Sequence, residues 1–244
     1  MLYLSRLLLN PRHRAVRRDL ADCHGLHRTI LRAFPAATPG AVPAREQFGL
    51  LYRLDHDSRI PDRLALLVQS RMAPDWSFLE PGYLLDTTGV TENPATKPID
   101  HLHALIHAGL VLRFRLRANP TRKIAATAEN GEKRRNGMRV ELRDEEKLLD
   151  WLARKGTQHG FDLWSAVSNG PANVRVVVEN KVTGKRAGEQ TAAQVVERTA
   201  LTFGSVLFEG VLRVTDADAF RSALERGIGS GKAYGFGLLS LARY

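Results

Sequence analysis

Two stretches of the chain concentrate side chains whose types and spacing suit chemistry. The first is Asp22-Cys23-His24-Gly25-Leu26-His27-Arg28-Thr29-Ile30-Leu31-Arg32. On a helix turning about 100° per residue, His24 and His27 lie about 60° apart on one side. Imidazoles titrate near neutral pH, so such a pair can exchange protons with a substrate. A place in the first helical turn favours the neutral ring, because the positive end of the helix dipole opposes protonation. Arg28 and Arg32, one turn apart, offer planar guanidinium forks that suit phosphate. The competing reading is structural. His27 falls inside the apolar arc of Leu20, Cys23, Ile30, Leu31 and Phe34, and a histidine on such a face is ordinarily a core residue.

The second stretch runs from Gly227 to Gly237, Gly-Ile-Gly-Ser-Gly-Lys-Ala-Tyr-Gly-Phe-Gly. Glycines at Gly229 and Gly231, beside Lys232, let backbone amides approach a phosphate without side-chain obstruction. The stretch is no P-loop: Ala233 stands where a magnesium-binding Ser or Thr is needed, and a strand follows instead of a helix. Packing under a neighbouring sheet explains the glycines equally well. His13, His101, His103 and His107 show no ligand spacing around a carboxylate, so neither a metal site nor a cofactor is expected.

Paired imidazoles, arginines and a phosphate-approachable loop suit RNA transesterification. There the substrate's 2′-hydroxyl is the nucleophile. The protein supplies a base, an acid for the departing 5′-oxygen, and cations for the phosphorane.

The charge distribution agrees. Lys and Arg number 36 against 26 Asp and Glu, net +10. Residues 1–36 carry seven basic and two acidic side chains, and residues 111–143 carry ten and three. The other 175 residues are net −2. Localised basic zones on a near-neutral body point to a polyanion partner. No apolar run approaches the ~18 residues of a membrane span, and the apolar N-terminus lacks the preceding positive charge of a signal peptide. A single cysteine, Cys23, suits a reducing cytoplasm.

The elements that must position these groups follow from periodicity. Residues 2–9 read as a buried strand. A helix follows with Asp19 and Asp22 as candidate N-caps. Residues 48–54 and 63–71 read as strands, and the proline-rich residues 74–100 as an irregular connection. Residues 101–108 read as a short helix. Residues 110–117 alternate Leu110, Leu112, Phe114 and Leu116 with Val111, Arg113, Arg115 and Arg117, a strand with an arginine face. A looser second round follows: a strand at 121–127, a helix at 144–158, strands at 173–182 and 201–215, a helix from a cap at Thr215 or Asp216 to Arg226, and a last strand at 236–241. The expected fold is α+β, two tandem ferredoxin-like (βαββαβ, RRM-like) domains. The division falls at 1–118, with the histidine helix, and 119–244, with the glycine-rich loop.

At this point the residues resemble a known family. The run Gly227–Gly237 fits the signature of glycine-hydrophobic-glycine, five residues, glycine-hydrophobic-glycine found in repeat-associated CRISPR proteins. The runs LLLNPRHRAVRRDLADCHGLHRTI, RFRLRANPTRK, LFEG and GKAYGFGLLS are similar to CasE-type repeat-processing subunits of type I-E Cascade complexes. The resemblance implies tandem ferredoxin-like domains, metal-independent endoribonuclease cleavage of a pre-crRNA repeat stem-loop, and 2′,3′-cyclic phosphate and 5′-hydroxyl ends. It implies mature crRNA and the other Cascade subunits as partners, and no membrane. It makes His27 catalytic and places Arg28 and Arg32 at the scissile phosphate. Some relatives carry tyrosine where this chain has His24, so His24 is expected to assist. The remaining RNA contacts are expected from Lys232 with Gly229 and Gly231, from Arg113, Arg115, Arg117, Arg122 and Lys123, and from Lys133, Arg134, Arg135 and Arg139. The competing reading is a guide-RNA-binding scaffold subunit without catalysis.

Overall fold

The computed structural model describes residues 1–38, 42–56, 64–123, 139–165, 170, 172–186 and 199–244. The first sheet is built from β1 (Tyr3–Leu9), β2 (Leu51–His56), β3 (Leu64–Ser70) and β4 (Ala95–Pro98), in the order β2-β3-β1-β4, with every neighbouring pair antiparallel. Between β1 and β2 run α1 (Arg14–Ala21), α2 (Cys23–Leu31) and the short α3 (Ala44–Gln47). The order is that of a ferredoxin-like unit. Its second crossover, residues 71–94, is irregular, and α4 (Asp100–Ala104) follows the fourth strand.

The second sheet uses β5 (Val111–Ala118), β8 (Phe161–Leu163), β10 (Thr199–Val214) and β11 (Leu239–Arg243) in the same order, β11-β5-β10-β8, with β9 (Val174–Arg186) also paired to β10. A two-stranded ribbon, β6 (Thr121–Lys123) with β7 (Arg139–Glu141), leads into α5 (Glu145–Gln158), and α6 (Ala217–Arg226) precedes the glycine-rich turn. The tandem ferredoxin-like arrangement is therefore present. One membership differs from the sequence reading. The arginine strand β5 pairs with β10 and β11 and not with the first sheet, so the two sheets divide between Pro98 and Val111 instead of at residue 118. Alternation identifies a half-buried strand but not the sheet it joins.

Local chemistry explains most boundaries. Asp144 caps α5 by accepting from the Lys147 amide, and Asp216 caps α6 by accepting from the amides of Asp218 and Ala219. Asp22 caps α2 by accepting from His24 N–H. Asp19 is not a cap. It is buried near the end of α1, where its carboxylate accepts from Thr29 Oγ1 at 2.8 Å and Tyr83 Oη at 3.0 Å. That pairing fixes α2 against α1. Among the described residues no helix is long and apolar enough to cross a membrane.

The first sheet buries one face under α1 and α2 through Leu7, Leu9, Leu50, Leu66 and Val68. Its other face meets the second half through side chains that donate to main-chain carbonyls. Arg53, 2% exposed, binds the Asp55 carboxylate at 2.7 and 2.9 Å. Its Nη1 donates to the carbonyls of Arg115 and Leu238, both at 3.2 Å. Gln69 Nε2 donates to Leu224 O at 2.8 Å. From the helix-facing side, Tyr52 Oη donates to Ala233 O at 3.0 Å.

A buried guanidinium is tolerated only while its charge and donors are matched, and removing one partner of such a pair costs ~3–5 kcal/mol. Arg53→Met is therefore expected to lower unfolding free energy by about that amount in urea melts, and Arg53→Met/Asp55→Leu to recover most of the loss. Equal melts for wild type and Arg53→Met would show that the clamp is not holding the halves together.

Candidate functional site

The clamp sets α2 against the glycine-rich turn. Lys232–Tyr234 form a single 3-10 turn bounded by Gly231 and Gly235, both left-handed at φ 75° and 88°. A side chain at either position would be strained, and one at Gly231 would also reach within 2.9 Å of Phe236. The turn carries Tyr234 to the histidines. Its ring centre lies 6.2 Å from that of His27, edge-on, and 6.4 Å from that of His24. Tyr52 stacks on His27 at 6.4 Å, and Phe203 of β10 stacks on Tyr234 at 4.9 Å.

The long β9–β10 hairpin completes the enclosure. Lys185 N–H donates to Asp22 Oδ1 at 3.1 Å, and a Cβ at Gly184 would stand 2.6 Å from Cys23 Sγ. The strand thus presses directly on the start of α2, and only glycine permits that approach. Burial pushes the Cys23 thiol up to about 11, with the Asp22 carboxylate adding to the shift, so it stays protonated at neutral pH.

His27 is 9% exposed, and its Nδ1 has no hydrogen-bond partner; neither has His24 Nδ1. Burial, then the neighbouring His24, then Arg45 of α3 push the His27 ring down to about 4. The sequence argument for a neutral ring rested on the helix dipole; burial is the larger cause in the structure. A neutral imidazole is a proton acceptor. Arg45 also depresses Lys232, after burial, so one guanidinium stands near both the histidine and the glycine-turn lysine.

Arg28 and Arg32 are not brought to this cluster. The guanidinium of Arg32 lies over the Phe78 ring at 4.5 Å, and Arg28 lines a separate pocket with Phe34 and Phe48. The helix turn accounts for this: these positions are about 100° and 140° around the helix from His27. The guanidinium near the cluster is instead Arg45, from an element that sequence periodicity did not flag, and it is paired with Glu46 at 2.9 Å.

Beside the turn lies a groove of about 620 Å³ between α5, the β6–β7 ribbon and the glycine-rich stretch. It gathers Lys123, Arg139, Gly229 and Lys232, all expected from sequence, with Arg154 and Lys155 of α5 and Asn119, which were not. An adjoining recess includes Gly231 and Lys181. The arginine face of β5 is occupied otherwise. Arg115 pairs with Glu209 and Asp55, Arg117 with Glu179 at 2.6 Å, and Arg113 approaches the Tyr244 ring at 5.9 Å. Arg122 is exposed on β6 outside the groove lining. Lys133, Arg134 and Arg135 lie outside the described residues. The signal that could have flagged α5 is Arg154-Lys155 at the polar edge of its apolar face.

Comparison with known proteins gives a consistent picture. A family model described as "CRISPR associated protein" matches residues 2–243. The chain is 37% identical over 246 residues to the CRISPR-associated endoribonuclease Cse3 of Thermus thermophilus, covering 99% of this chain and all of that one. It is 30% identical over 244 residues to the Cascade subunit CasE of Escherichia coli, covering 99% of each. A solved structure of the endoribonuclease Cse3 bound to a 19-nucleotide RNA superposes with TM-score 0.74 at 34% identity, over 98% of this chain and 99% of that one.

The depressed proton affinity of His27 is directly measurable. An unfolded histidine titrates near 6.5, so between that pH and about 4 the unfolded chain binds the extra proton and the folded chain does not. Stability contributed by this ring is therefore expected to fall as pH drops through that window. In NMR titration the His27 ring should stay neutral until about pH 4, and His24→Asn should move its midpoint upward by removing the like charge. A His27 midpoint near 6.5 would mean the ring is solvated and the enclosure described above is absent.

Proposed function

The chain belongs to the CRISPR-associated protein family, and from that premise we propose the reaction its site carries out. The chain is an endoribonuclease that processes CRISPR repeat RNA, working with the other subunits of a Cascade complex. Support for this comes from its full-length similarity to a CRISPR-associated endoribonuclease and to a Cascade subunit. The observation that carries the site assignment is the His27 ring, with its Nδ1 unpartnered, packed edge-on against Tyr234 of the glycine turn beside His24.

The mechanism we propose uses the substrate's own nucleophile. His27 accepts the proton of a ribose 2′-hydroxyl. O2′ attacks the adjacent phosphorus, the P–O5′ bond breaks, and the departing O5′ takes a proton. The ends are a 2′,3′-cyclic phosphate and a 5′-hydroxyl. A ring at about 4 is a weak base when the protein is empty. An arriving phosphate favours the charged imidazolium and raises that value toward the working pH, so the base strengthens where substrate is bound. His24, on the same side of α2, is the second proton-transfer group. Lys232 and Arg45 are placed better than Arg28 and Arg32 to stabilise the phosphorane. The groove cations grip the RNA backbone. A-form RNA hides its bases in a deep major groove, so recognition of the repeat stem, outside this groove, is by phosphate and shape. We place the protein in the cytoplasm, where Cys23 remains a thiol.

General acid–base groups supply ~10²–10⁴-fold in rate. His27→Ala is expected to slow single-turnover cleavage of a repeat stem-loop by at least that lower bound while binding changes less than about threefold. Cleavage by the wild type should persist in excess chelator and yield cyclic-phosphate ends. Equal loss of binding and cleavage would make His27 structural and leave a guide-RNA-binding scaffold. Arrest by chelator would sink the metal-free route.

A further inference from the structure

The groove beside the histidines holds an unusual combination of groups. Five cations line it, Lys123, Arg139, Arg154, Lys155 and Lys232, and no carboxylate does. None of the five has an ion-pair partner among the described residues, while Arg115 and Arg117 nearby are neutralised within the fold. Crowded cations repel one another. Burial first and then the neighbouring positive charges make Lys155 and His159 harder to protonate. A fold carries such a cluster unpaired where a polyanion completes it.

At the floor of the same groove is Asn119. It is 7% exposed, and its Oδ1 has no hydrogen-bond partner. A buried acceptor left without a donor costs ~1–3 kcal/mol, so this atom calls for a donor from the occupant. A phosphodiester offers only acceptors. A ribose 2′-hydroxyl is a donor attached to that same backbone. A base amino group is the weaker candidate, because the larger of the two rings lining the groove is not available for stacking: Trp151 is buried and already stacked on Phe208, 6.0 Å between centres, which leaves the imidazole of His159.

Size and position narrow the occupant further. About 620 Å³ is in the range of pockets that enclose one drug-sized molecule (~300–1,000 Å³), which suits one or two nucleotides. Lys232 lines the groove and Tyr234, two residues on in the same 3-10 turn, touches the histidines. At about 2 Å rise per residue, the groove lining and the residue against the histidines are only about 4 Å apart along the turn.

We propose that this groove is a subsite for one or two unpaired ribonucleotides next to the scissile bond, with Asn119 Oδ1 accepting from a 2′-hydroxyl and the α5 and glycine-turn cations holding the flanking phosphates. It rests on the endoribonuclease reading above and adds to it a contact that distinguishes RNA from DNA at a nucleotide that does not react.

The test is a scan of the RNA, which leaves the protein unaltered. Repeat RNAs are made uncleavable by a 2′-deoxy substitution at the attacking nucleotide. A second 2′-deoxy is then moved through the two nucleotides on each side, and equilibrium binding is measured. One position should weaken binding to the wild type by ~3–10-fold, the range of a single hydrogen bond. With Asn119→Ala, checked by thermal melt, the same substitution should cost nothing further. Lys155→Ala and Arg154→Ala should each reduce the salt slope of binding by about 0.7 while the deoxy penalty persists. If no position separates wild type from Asn119→Ala, or the salt slopes are unchanged, the subsite is refuted. All-ribose repeat RNA, assayed in parallel, separates the two failures: if it is cut while the scan is flat, only the subsite falls, and if it is neither bound nor cut, the endoribonuclease reading falls with it.

Discussion

The structure depends on the satisfaction of one buried guanidinium. Arg53 is enclosed between the two sheets, and its charge is matched by Asp55 while its remaining donors reach the carbonyls of Arg115 and Leu238. Such a group cannot be half satisfied, because an unpaired buried charge costs more than the fold's other local contacts return. The first sheet therefore has one setting against the second. That setting places Tyr52 under Ala233 and carries the glycine turn to α2. Neither half contains the site. α2 brings the imidazoles, the turn brings Tyr234 and Lys232, and the β9–β10 hairpin closes the remaining side.

Enclosure then sets the chemistry. The ring of His27 is held among Tyr52, Tyr234 and His24, so its charged form is disfavoured by lost hydration before any neighbour acts on it. The proposed proton acceptor is thus a buried residue. The ring is buried like a core residue, yet its nitrogen is left without the partner that a core residue would have.

How much of this could be read from the sequence depended on the range of the interaction. Periodicity located β5, β10, α5 and α6 because each buries its own apolar face. The Asp216 and Asp22 caps were found because a cap lies within a few residues of the amides it serves. The short β4 within a proline-rich run was missed, since four edge residues show no alternation of their own. The sheet membership of β5 was misjudged for a related reason: pairing partners more than ninety residues away leave no local trace. In the site, His24, His27 and Lys232 came from residue type and spacing. Tyr234, Tyr52 and Arg45 did not, because they qualify only by proximity across the interface between the halves.

The same distinction governs the charges. Net charge by segment pointed to two basic zones, and the arginine strand within the second was the most conspicuous feature of the chain. Yet strand pairing aligns Arg115 with Glu209, and β9 brings Glu179 to Arg117. Those arginines are therefore engaged in holding their own sheet. The cations of the groove are dispersed in sequence at positions 123, 139, 154, 155 and 232 and converge only after folding. A count of charges predicts attraction for a polyanion at long range. Contact is decided by which cations the fold leaves without a carboxylate, and the proposed subsite draws on five of them.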